Sequence, residues 1–318
     1  METIFNLFLL LLGLVILIWG ADYLIQSSVK LAHIFRLAPL FIGLVIVAFG
    51  TSAPEAGISI VAALKGYKAI ALGNIIGSCI ANIGLVLGFC ALLLPLAVDK
   101  NIFKKELPIM LLATVLIYFL SLDLVLSRID GFIFLSLFIA FLFFAYKGAK
   151  NHSAEDLSGF KFRKVFKKTN SKFVIGILSI FSLGLVVFGA SLMVKSGVVL
   201  AKIFGISPWI ISITVFAVGT SLPELAASLT ASFKKIPSIS VGNIVGSNIF
   251  NILFVLGIAS VIRPIDVQPS VLRFEFPILL LFSASLFVVM KTGHKITRKE
   301  GLLMFLGYLA FIFLLVRR

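Results

Sequence analysis

The sequence predicts an all-α membrane protein of ten transmembrane helices, arranged as two inverted five-helix repeats with broken helices 2 and 7. Three observations predict it: the composition, the number of long apolar segments and an internal duplication. Of 318 residues, 60% are hydrophobic and 13% are charged, and the mean hydropathy is +1.17. So few ionisable side chains cannot cover a soluble particle of this size, so we exclude a soluble enzyme and expect a lipid bilayer around the chain.

The apolar segments are close to the roughly 20 residues that a helix needs to cross a bilayer. In chain order they are 3–25, 38–64, 70–95, 107–122, 130–147, 173–196, 207–233, 239–262, 274–290 and 301–316. The only long polar stretch, 148–172, carries seven Lys and Arg residues and leaves five segments on each side. The predicted organisation is therefore a first five-helix repeat over 1–147, a basic loop over 148–172 and a second five-helix repeat over 173–318.

The net charge of +15 does not indicate nucleic-acid binding, because the Lys and Arg residues lie between apolar segments and form no stripe. Assigned to their nearest loops, 19 of the 28 lie on one side of the ten-helix arrangement and nine on the other. Positive residues gather on the cytoplasmic side. We therefore expect both termini outside and the basic loop in the cytoplasm, as a solvated linker that can touch anionic lipid.

The duplication joins residues 50–88, the first motif, to residues 219–257, the second motif. They align without a gap at an offset of 169, with 20 of 39 positions identical. The shared pattern includes Gly-Thr-Ser-x-Pro-Glu and Gly-Asn-Ile-x-Gly-Ser-x-Ile-x-Asn, which apolar bias alone would not produce. The offset spans five crossings, so the second copy enters the membrane in the opposite sense, as in secondary transporters with inverted repeats.

Each motif places one glutamate, Glu55 or Glu224, midway through a long apolar segment. An ionised carboxylate there costs roughly 2.5–3.5 kcal/mol on insertion scales. No Lys or Arg stands at that depth in either segment, so a bound cation is the expected compensation. A single glutamate could instead be a protonated structural group, but the repeated pair favours cation binding.

Oxygen-bearing side chains surround each glutamate at helical spacing. Around the two glutamates these are Thr51, Ser52, Thr220 and Ser221, and in the following segments Ser78, Asn82, Ser247 and Asn251. A glycine and a proline flank each Thr-Ser pair and predict a break in the helix, which would free the carbonyls of Ala48 and Ala217 as further ligands. Asn74 and Asn243 could cap or bond backbone instead.

This set of carboxylate, amide, hydroxyl and carbonyl oxygens suits hard cations such as Ca²⁺ and disfavours zinc and copper. Two carboxylates neutralise one Ca²⁺, and the same oxygens could distribute several Na⁺. Competition of the two ions for one set of ligands is the physical basis of an exchanger. A passive cation channel remains an alternative, whereas no nucleophile and base pair supports an intramembrane enzyme. We expect no cofactor, and the sequence does not indicate the oligomeric state.

The paired motifs resemble the two alpha-repeats of the cation/calcium exchanger superfamily, specifically its prokaryotic sodium/calcium exchangers. The resemblance implies ten helices, antiport of Na⁺ against Ca²⁺, and alternating access in which the first and sixth helices slide over a core. It also implies electrogenic exchange of three Na⁺ for one Ca²⁺ in a prokaryotic cell membrane. By motif position, Glu55 and Glu224 become the principal Ca²⁺ ligands. The Na⁺ ligands are then Thr51, Ser52, Ser78, Thr220, Ser221, Ser247 and the carbonyls of Ala48 and Ala217, with Asn82 and Asn251 as the central pair.

The sequence departs from many of these relatives at Asn251, where they carry Asp. The potassium-dependent branch resembles the Asp pattern, so potassium dependence is not expected here. Proton/calcium exchangers of the superfamily carry different glutamate motifs, which leaves Na⁺ as the preferred counter-ion. Antiport of H⁺ against Ca²⁺, or of other divalent cations such as Mn²⁺, stays open as an alternative.

Overall fold

The computed structural model describes residues 2–35, 37–150, 162–163, 165–166, 169–205, 219–291 and 293–317. It is almost entirely helical. The helices are α1 (Glu2–Phe35), α2 (Pro39–Thr51), α3 (Ala53–Lys65), α4 (Lys68–Leu93), α5 (Leu107–Leu120), α6 (Arg128–Lys150), α7 (Lys172–Ile203), α8 (Leu222–Phe233), α9 (Pro237–Ile262), α10 (Pro269–Arg273), α11 (Glu275–Lys291) and α12 (Arg298–Arg317). The strands are β1 (Leu96–Ala97), β2 (Val125–Leu126), β3 (Ile265–Asp266) and β4 (Lys295–Ile296).

Within these described ranges, seven spans are long and apolar enough to cross a membrane, or eight if the bent pair α2 and α3 forms one span. The chain is thus an all-helical, multi-pass integral membrane protein. Helix α5, predicted as a span at 107–122, has 14 residues and directly continues the π-helical segment Ile102–Glu106. Helix α8 has 12, because most of the preceding part of the segment predicted at 207–233 lies outside the described ranges.

Helices α4 and α9 form the centre of the molecule. In each of them 83% of the most apolar window is buried, against 22–33% in the other single spans. These are the two helices that carry the second half of each duplicated motif. The motif residues therefore lie in the interior, while the surrounding helices expose their apolar faces as a protein in lipid requires.

Two short antiparallel strand pairs tie the helix ends together. Strand β1, after α4, pairs with β4, before α12. Strand β2, before α6, pairs with β3, after α9. Each pair joins a connection of the first half of the chain to a connection of the second half. The two strands of a pair lie at the same end of the helix bundle. The chain must therefore cross the bundle an even number of times between them.

Helices α6 and α12 begin with matching caps. The carboxylate of Asp130 accepts hydrogen bonds of 2.7 Å from the backbone N–H and the hydroxyl of Ser127. Glu300 makes the same two bonds of 2.7 Å with Thr297. A Ser or Thr followed three residues later by an acid is a sequence signal for a helix start. Equivalent helices of the two halves are thus started by equivalent chemistry.

Helices α1 and α7 pack against each other through glycines. A Cβ atom on Gly20 would lie 2.8 Å from the backbone nitrogen of Val186, and one on Gly189 would lie 2.6 Å from that of Leu17. Any larger residue would push the two helices apart, since backbone atoms cannot rotate away. Small residues give close approach in membrane helix packing, and these two glycines occupy repeat-related positions.

The basic loop differs from the expected solvated linker where the structure describes it. Phe166 is fully buried, and its ring lies 5.8 Å from that of Tyr23 in α1. The backbone N–H of Arg163 donates a 2.7 Å hydrogen bond to Gln26, also in α1. The positive charges of this loop predict a solvated linker, but its phenylalanines give it an apolar contact with the bundle.

Candidate ion-binding site

The first motif bends where the sequence predicts a break. The axes of α2 and α3 differ by 47°, and Ser52 is the single residue between them. Pro54 stands in the first turn of α3, where its missing N–H costs nothing. The interruption is confined to one residue, so the hydroxyl of Ser52 and the carboxylate of Glu55 start the new helix together.

The bend frees less backbone than the sequence predicts. The carbonyl of Ala48 accepts a hydrogen bond of 3.0 Å from the N–H of Ser52 and one of 3.4 Å from the hydroxyl of Thr51. Gly50 is helical and has no positive φ. Its lack of a side chain is needed for packing instead, because a Cβ atom there would lie 2.9 Å from the side chain of Leu183.

Hydrogen bonds join the two motifs across the interior. The hydroxyl of Ser52 donates to Glu224 Oε1 over 2.9 Å. The hydroxyl of Thr51 lies 3.2 Å from Asn243 Oδ1. Thr220 of the second motif in turn lies beside Glu55 of the first. Each carboxylate is therefore approached by hydroxyls of the other copy, an arrangement that sequence spacing within one motif does not predict.

Asn74 and Asn243 bond backbone, one of the two roles considered for them from the sequence. The Asn74 amide donates to the carbonyl of Glu55 over 3.2 Å and to the hydroxyl of Ser59 over 2.9 Å. The Asn243 amide repeats this contact with the carbonyl of Glu224 over 3.4 Å and the hydroxyl of Ser228 over 3.0 Å. Each asparagine thereby fixes the helix that carries a glutamate to the neighbouring central helix.

Glu55 and Glu224 are both fully buried. They are close enough to each other for electrostatic repulsion. None of the ion pairs among the described residues involves either of them. Two buried carboxylates without a basic partner are costly unless they are protonated or bind a cation.

Buried polar atoms without a hydrogen-bond partner gather in the predicted ligand set. Within the described part of the chain they include both carboxylate oxygens of Glu55, Oε2 of Glu224, Oδ1 of Asn82, both amide atoms of Asn251 and the hydroxyls of Ser221 and Ser247. Buried polar groups are nearly always hydrogen-bonded, so such a group of exceptions calls for a ligand. Most of these atoms are acceptors, and a cation would satisfy them.

Ser78 and Thr220 line a cavity of about 530 Å³. Its wall also includes Asn74 and, at the start of α11, Glu275. The cavity therefore brings Asn74 and Ser78 of the first motif and Thr220 of the second to a shared space. Ser247 and Asn251 lie in α9 and are fully buried. Ala217, predicted as the partner of Ala48, lies outside the described residues.

Three residues of this region are missing from the sequence prediction. Ser59 and Ser228 accept the asparagine hydrogen bonds described above, and their repeat-related positions could have indicated them. Asn248 receives the amide of Asn82 across the bundle, over 3.0 Å. Its repeat partner is Cys79, so the symmetry of the two motifs does not predict a role for Asn248.

The chemistry of the site is that of oxygen ligands. No group of three His, Cys, Asp or Glu side chains that could hold a metal occurs among the described residues. Carboxylate, amide and hydroxyl oxygens are the ligands that Ca²⁺ takes in flexible shells of about 6–8 atoms. The arrangement is thus suited to binding a hard cation inside the membrane.

Comparison with known proteins agrees with this chemistry. The family model described as sodium/calcium exchanger protein matches residues 5–147 and again residues 174–317. The chain is 36% identical over 308 residues to the putative antiporter CaxA of Alkalimonas amylolytica, covering 96% of this chain and 97% of that protein. It is 33% identical to the sodium/calcium exchanger MaX1 of Methanosarcina acetivorans, covering 98% of each.

A solved structure of the sodium-calcium exchanger NCX_Mj, soaked with zero Na⁺ and Ca²⁺, superposes with a TM-score of 0.84 at 32% identity. The match covers 98% of this chain and 99% of that one. The proteins of this group are transporters and not enzymes. The duplicated motifs, the buried glutamates and these matches identify the chain as a member of the sodium/calcium exchanger family.

Proposed function

We propose that this protein is an electrogenic antiporter that exchanges Na⁺ for Ca²⁺ across a prokaryotic cell membrane by alternating access. Membership of the family establishes cation/Ca²⁺ antiport as the class of activity. The observation that supports the exchange of Na⁺ for Ca²⁺ is the pair Glu55 and Glu224, one from each motif. Both are fully buried, and three of their four carboxylate oxygens lack a hydrogen bond among the described residues.

The proposed Ca²⁺ ligands are the carboxylates of Glu55 and Glu224. The proposed Na⁺ ligands include Ser52, whose hydroxyl already contacts Glu224 Oε1 at 2.9 Å, and Ser78 and Thr220 on the cavity wall. The remaining members of the set are Ala48, Thr51, Asn82, Ala217, Ser221, Ser247 and Asn251. Both ions use one group of oxygens, so one must leave before the other binds.

Charge counting favours an electrogenic cycle. Two carboxylates bind one Ca²⁺ in a neutral complex, whereas three Na⁺ in the same place leave one positive charge. Only the Na⁺-loaded crossing then moves charge, and the membrane potential acts on it by about 2.3 kcal/mol per elementary charge and 100 mV.

An inverted repeat of ten helices is the architecture we propose for this cycle. The family model matches the two halves of the chain separately. The caps at Ser127 and Thr297 and the contacts of Asn74 and Asn243 recur in equivalent places. Strand β1 pairs with β4, and one span, Pro269–Lys291, separates β4 from β3. The repeat-related strands β1 and β3 then lie at opposite ends of the bundle, which agrees with an odd number of crossings between them.

Alternating access is supported by a difference between the two central helices. In α9, a Cβ atom on Gly246 would lie 2.9 Å from Ala48 Cβ, and one on Gly242 would lie 3.1 Å from Leu40. In α4, the repeat-related Gly73 and Gly77 line the cavity. One side of the site is packed and the other adjoins the cavity, as expected for a state open to one face.

The orientation follows from the distribution of positive charge. With both termini outside, the cavity beside α4 faces the exterior and the residues packed on α9 close the cytoplasmic side. The segment equivalent to Leu40–Ala48 is 209–217, and it lies outside the described residues.

Uptake of labelled Ca²⁺ into proteoliposomes tests the function. We expect uptake only when Na⁺ is present inside the vesicles, and we expect an inside-positive potential to stimulate it, since Na⁺ leaves with excess positive charge. Glu55→Gln and Glu224→Gln should reduce uptake to background. Asp123→Asn, which alters an exposed acid near β2, is the matched control and should retain wild-type rates.

The alternatives predict different results in the same vesicles. A passive channel would pass Ca²⁺ without Na⁺ on the opposite side. An H⁺/Ca²⁺ antiporter would respond to a pH gradient and ignore Na⁺, and an exchanger of broad specificity would show equal competition by Mn²⁺. Wild-type rates in either glutamate variant would contradict the proposed site.

A further inference from the structure

Asn248 contacts the predicted ligand set without belonging to it. It lies in α9, three residues before Asn251, and is 99% buried. Its side-chain amide Nδ2 donates to the backbone carbonyl of Cys79 over 3.4 Å and lies 3.7 Å from the sulfur of Met110. Its Oδ1 accepts a hydrogen bond of 3.0 Å from Nδ2 of Asn82.

The carbonyl of Cys79 fixes the direction of this chain of hydrogen bonds. A backbone carbonyl only accepts, so the end of Asn248 that faces it must be the NH₂ group. The other end of Asn248 is then an oxygen, which also only accepts. Asn82 must therefore turn its own NH₂ group toward Asn248, and its Oδ1 is left on the opposite side.

The oxygen left over is one of the atoms that a cation would need. Oδ1 of Asn82 is buried and has no hydrogen-bond partner within the described ranges. The reverse orientation would present an NH₂ group, whose partial positive charge repels a cation. Both amide atoms of Asn251, the repeat partner of Asn82, lack a hydrogen-bond partner within the same ranges.

We propose that Asn248 is a positioning residue that holds the Asn82 amide with its oxygen toward the transported cation. This inference rests on the proposed function, because it takes Asn82 as a ligand. The orientation is set before the ion arrives, so binding does not have to bear the cost of turning the amide. Only the second motif carries this residue, and the two amides of the central pair are therefore not equivalent.

The test replaces Asn248 by Leu, which has similar volume and no polar atom. Without its acceptor, the Asn82 amide can turn, and we expect the KM for Ca²⁺ to rise about 10-fold, with Vmax changed less than about twofold. Asn248→Ala is the second variant, in case the larger side chain disturbs folding, which size-exclusion chromatography monitors. Ser260→Ala, a buried polar change in the same helix, is the matched control and should keep the wild-type KM.

A second background separates orientation from packing. In Asn82→Asp both ends of the side chain are oxygens, so no orientation is left to fix. Adding Asn248→Leu there should leave the KM for Ca²⁺ unchanged or lower it, because it removes an oxygen that faces the new carboxylate. A merely structural role of Asn248 would raise the KM equally in both backgrounds and overturn the proposal.

The outcomes also separate this inference from the proposed function. If the wild type shows no Na⁺-dependent Ca²⁺ uptake, the function itself is wrong. If the wild type transports and Asn82→Ala is impaired, but Asn248→Leu and Asn248→Ala keep the wild-type KM, then only the positioning role is wrong.

Discussion

The hydroxyl of Ser52 donates a hydrogen bond of 2.9 Å to Glu224 Oε1, although the two residues are 172 positions apart. A buried carboxylate oxygen that loses its donor costs about 1–3 kcal/mol. We expect Ser52→Ala to destabilise the ion-free protein more than the Ca²⁺-loaded protein, because bound Ca²⁺ compensates the carboxylate. The increase in melting temperature on adding Ca²⁺ should therefore be larger in the variant than in the wild type.

Thermal unfolding in detergent, with chelator and with Ca²⁺, measures this difference. Ser283→Ala removes a buried hydroxyl of α11 that has no hydrogen-bond partner in the described part of the chain, and it should change both temperatures equally. An equal or smaller Ca²⁺ shift in Ser52→Ala would mean that this contact does not stabilise the empty site.

Gly246 and Gly77 are repeat-related but differ in their surroundings. A Cβ atom on Gly246 would overlap the backbone carbonyl of Leu44, whereas Gly77 lines the cavity. Overpacking typically costs about 1–3 kcal/mol. We expect Gly246→Ala to lower the melting temperature and Gly77→Ala to leave it nearly unchanged.

If the packed side at α9 and the cavity side at α4 exchange their packing during the transport cycle, both glycine variants should slow transport. Gly77 would then need close packing in the opposite state, so Gly77→Ala should reduce Ca²⁺ uptake without loss of stability. Normal uptake by Gly77→Ala would contradict a symmetric exchange of packing, whatever the stability of Gly246→Ala.

The sequence predicts well the positions of the seven described spans and of the bent pair α2 and α3, because these depend on local chemistry. Apolar length and the Pro54 signal locate the 47° bend between α2 and α3. The duplication also singles out Glu55 and Glu224 as an exceptional pair. Their burial without an ion-pair partner among the described residues agrees with the reasoning that selected them.

Contacts between the copies could not be predicted in this way. Spacing shows which side chains share a helix face, but not which face of the other copy they meet, so it does not predict the bond from Ser52 to Glu224. Asn248 breaks the repeat and carries no symmetric signal. A break that unwinds the helix would free the carbonyl of Ala48, whereas the chain bends at one residue and keeps this hydrogen bond.

Asp22 ties α1 to two other parts of the protein. Its Oδ1 lies 2.6 Å from Lys234 Nζ at the end of α8, and its Oδ2 lies 2.9 Å from Arg163 Nε in the basic loop. The lysine side chain is 21% exposed and the arginine 48%. Because solvent screens exposed charges, we expect the coupling of Asp22 with Lys234 to exceed that with Arg163.

Double-mutant cycles with Asp22→Asn, Lys234→Met and Arg163→Met measure the two couplings from thermal or denaturant unfolding. A value of about 1 kcal/mol is expected for Asp22 with Lys234 and a smaller, salt-sensitive value for Asp22 with Arg163. The reverse order would mean that the basic loop is the stronger attachment of α1.

Asn251→Asp tests the charge count of the site. With two carboxylates the Ca²⁺ complex is neutral and the complex with three Na⁺ carries one positive charge. A third carboxylate would make the Ca²⁺ complex negative and the Na⁺ complex neutral. The net charge moved per cycle stays the same, but the charge-moving crossing changes from the Na⁺-loaded form to the Ca²⁺-loaded form.

Exchange of labelled for unlabelled Ca²⁺ across the vesicle membrane, without Na⁺, isolates the Ca²⁺-loaded crossing. In the wild type its rate should not depend on a potential imposed with K⁺ and valinomycin. In Asn251→Asp the rate should change several-fold over 100 mV, given about 2.3 kcal/mol for a full elementary charge across that potential. Asn251→Ser, which adds no charge, should remain insensitive to voltage even if it is slower. Voltage-dependent Ca²⁺ exchange in the wild type would mean that Glu55 and Glu224 do not together neutralise the ion, and the two-carboxylate site would have to be abandoned.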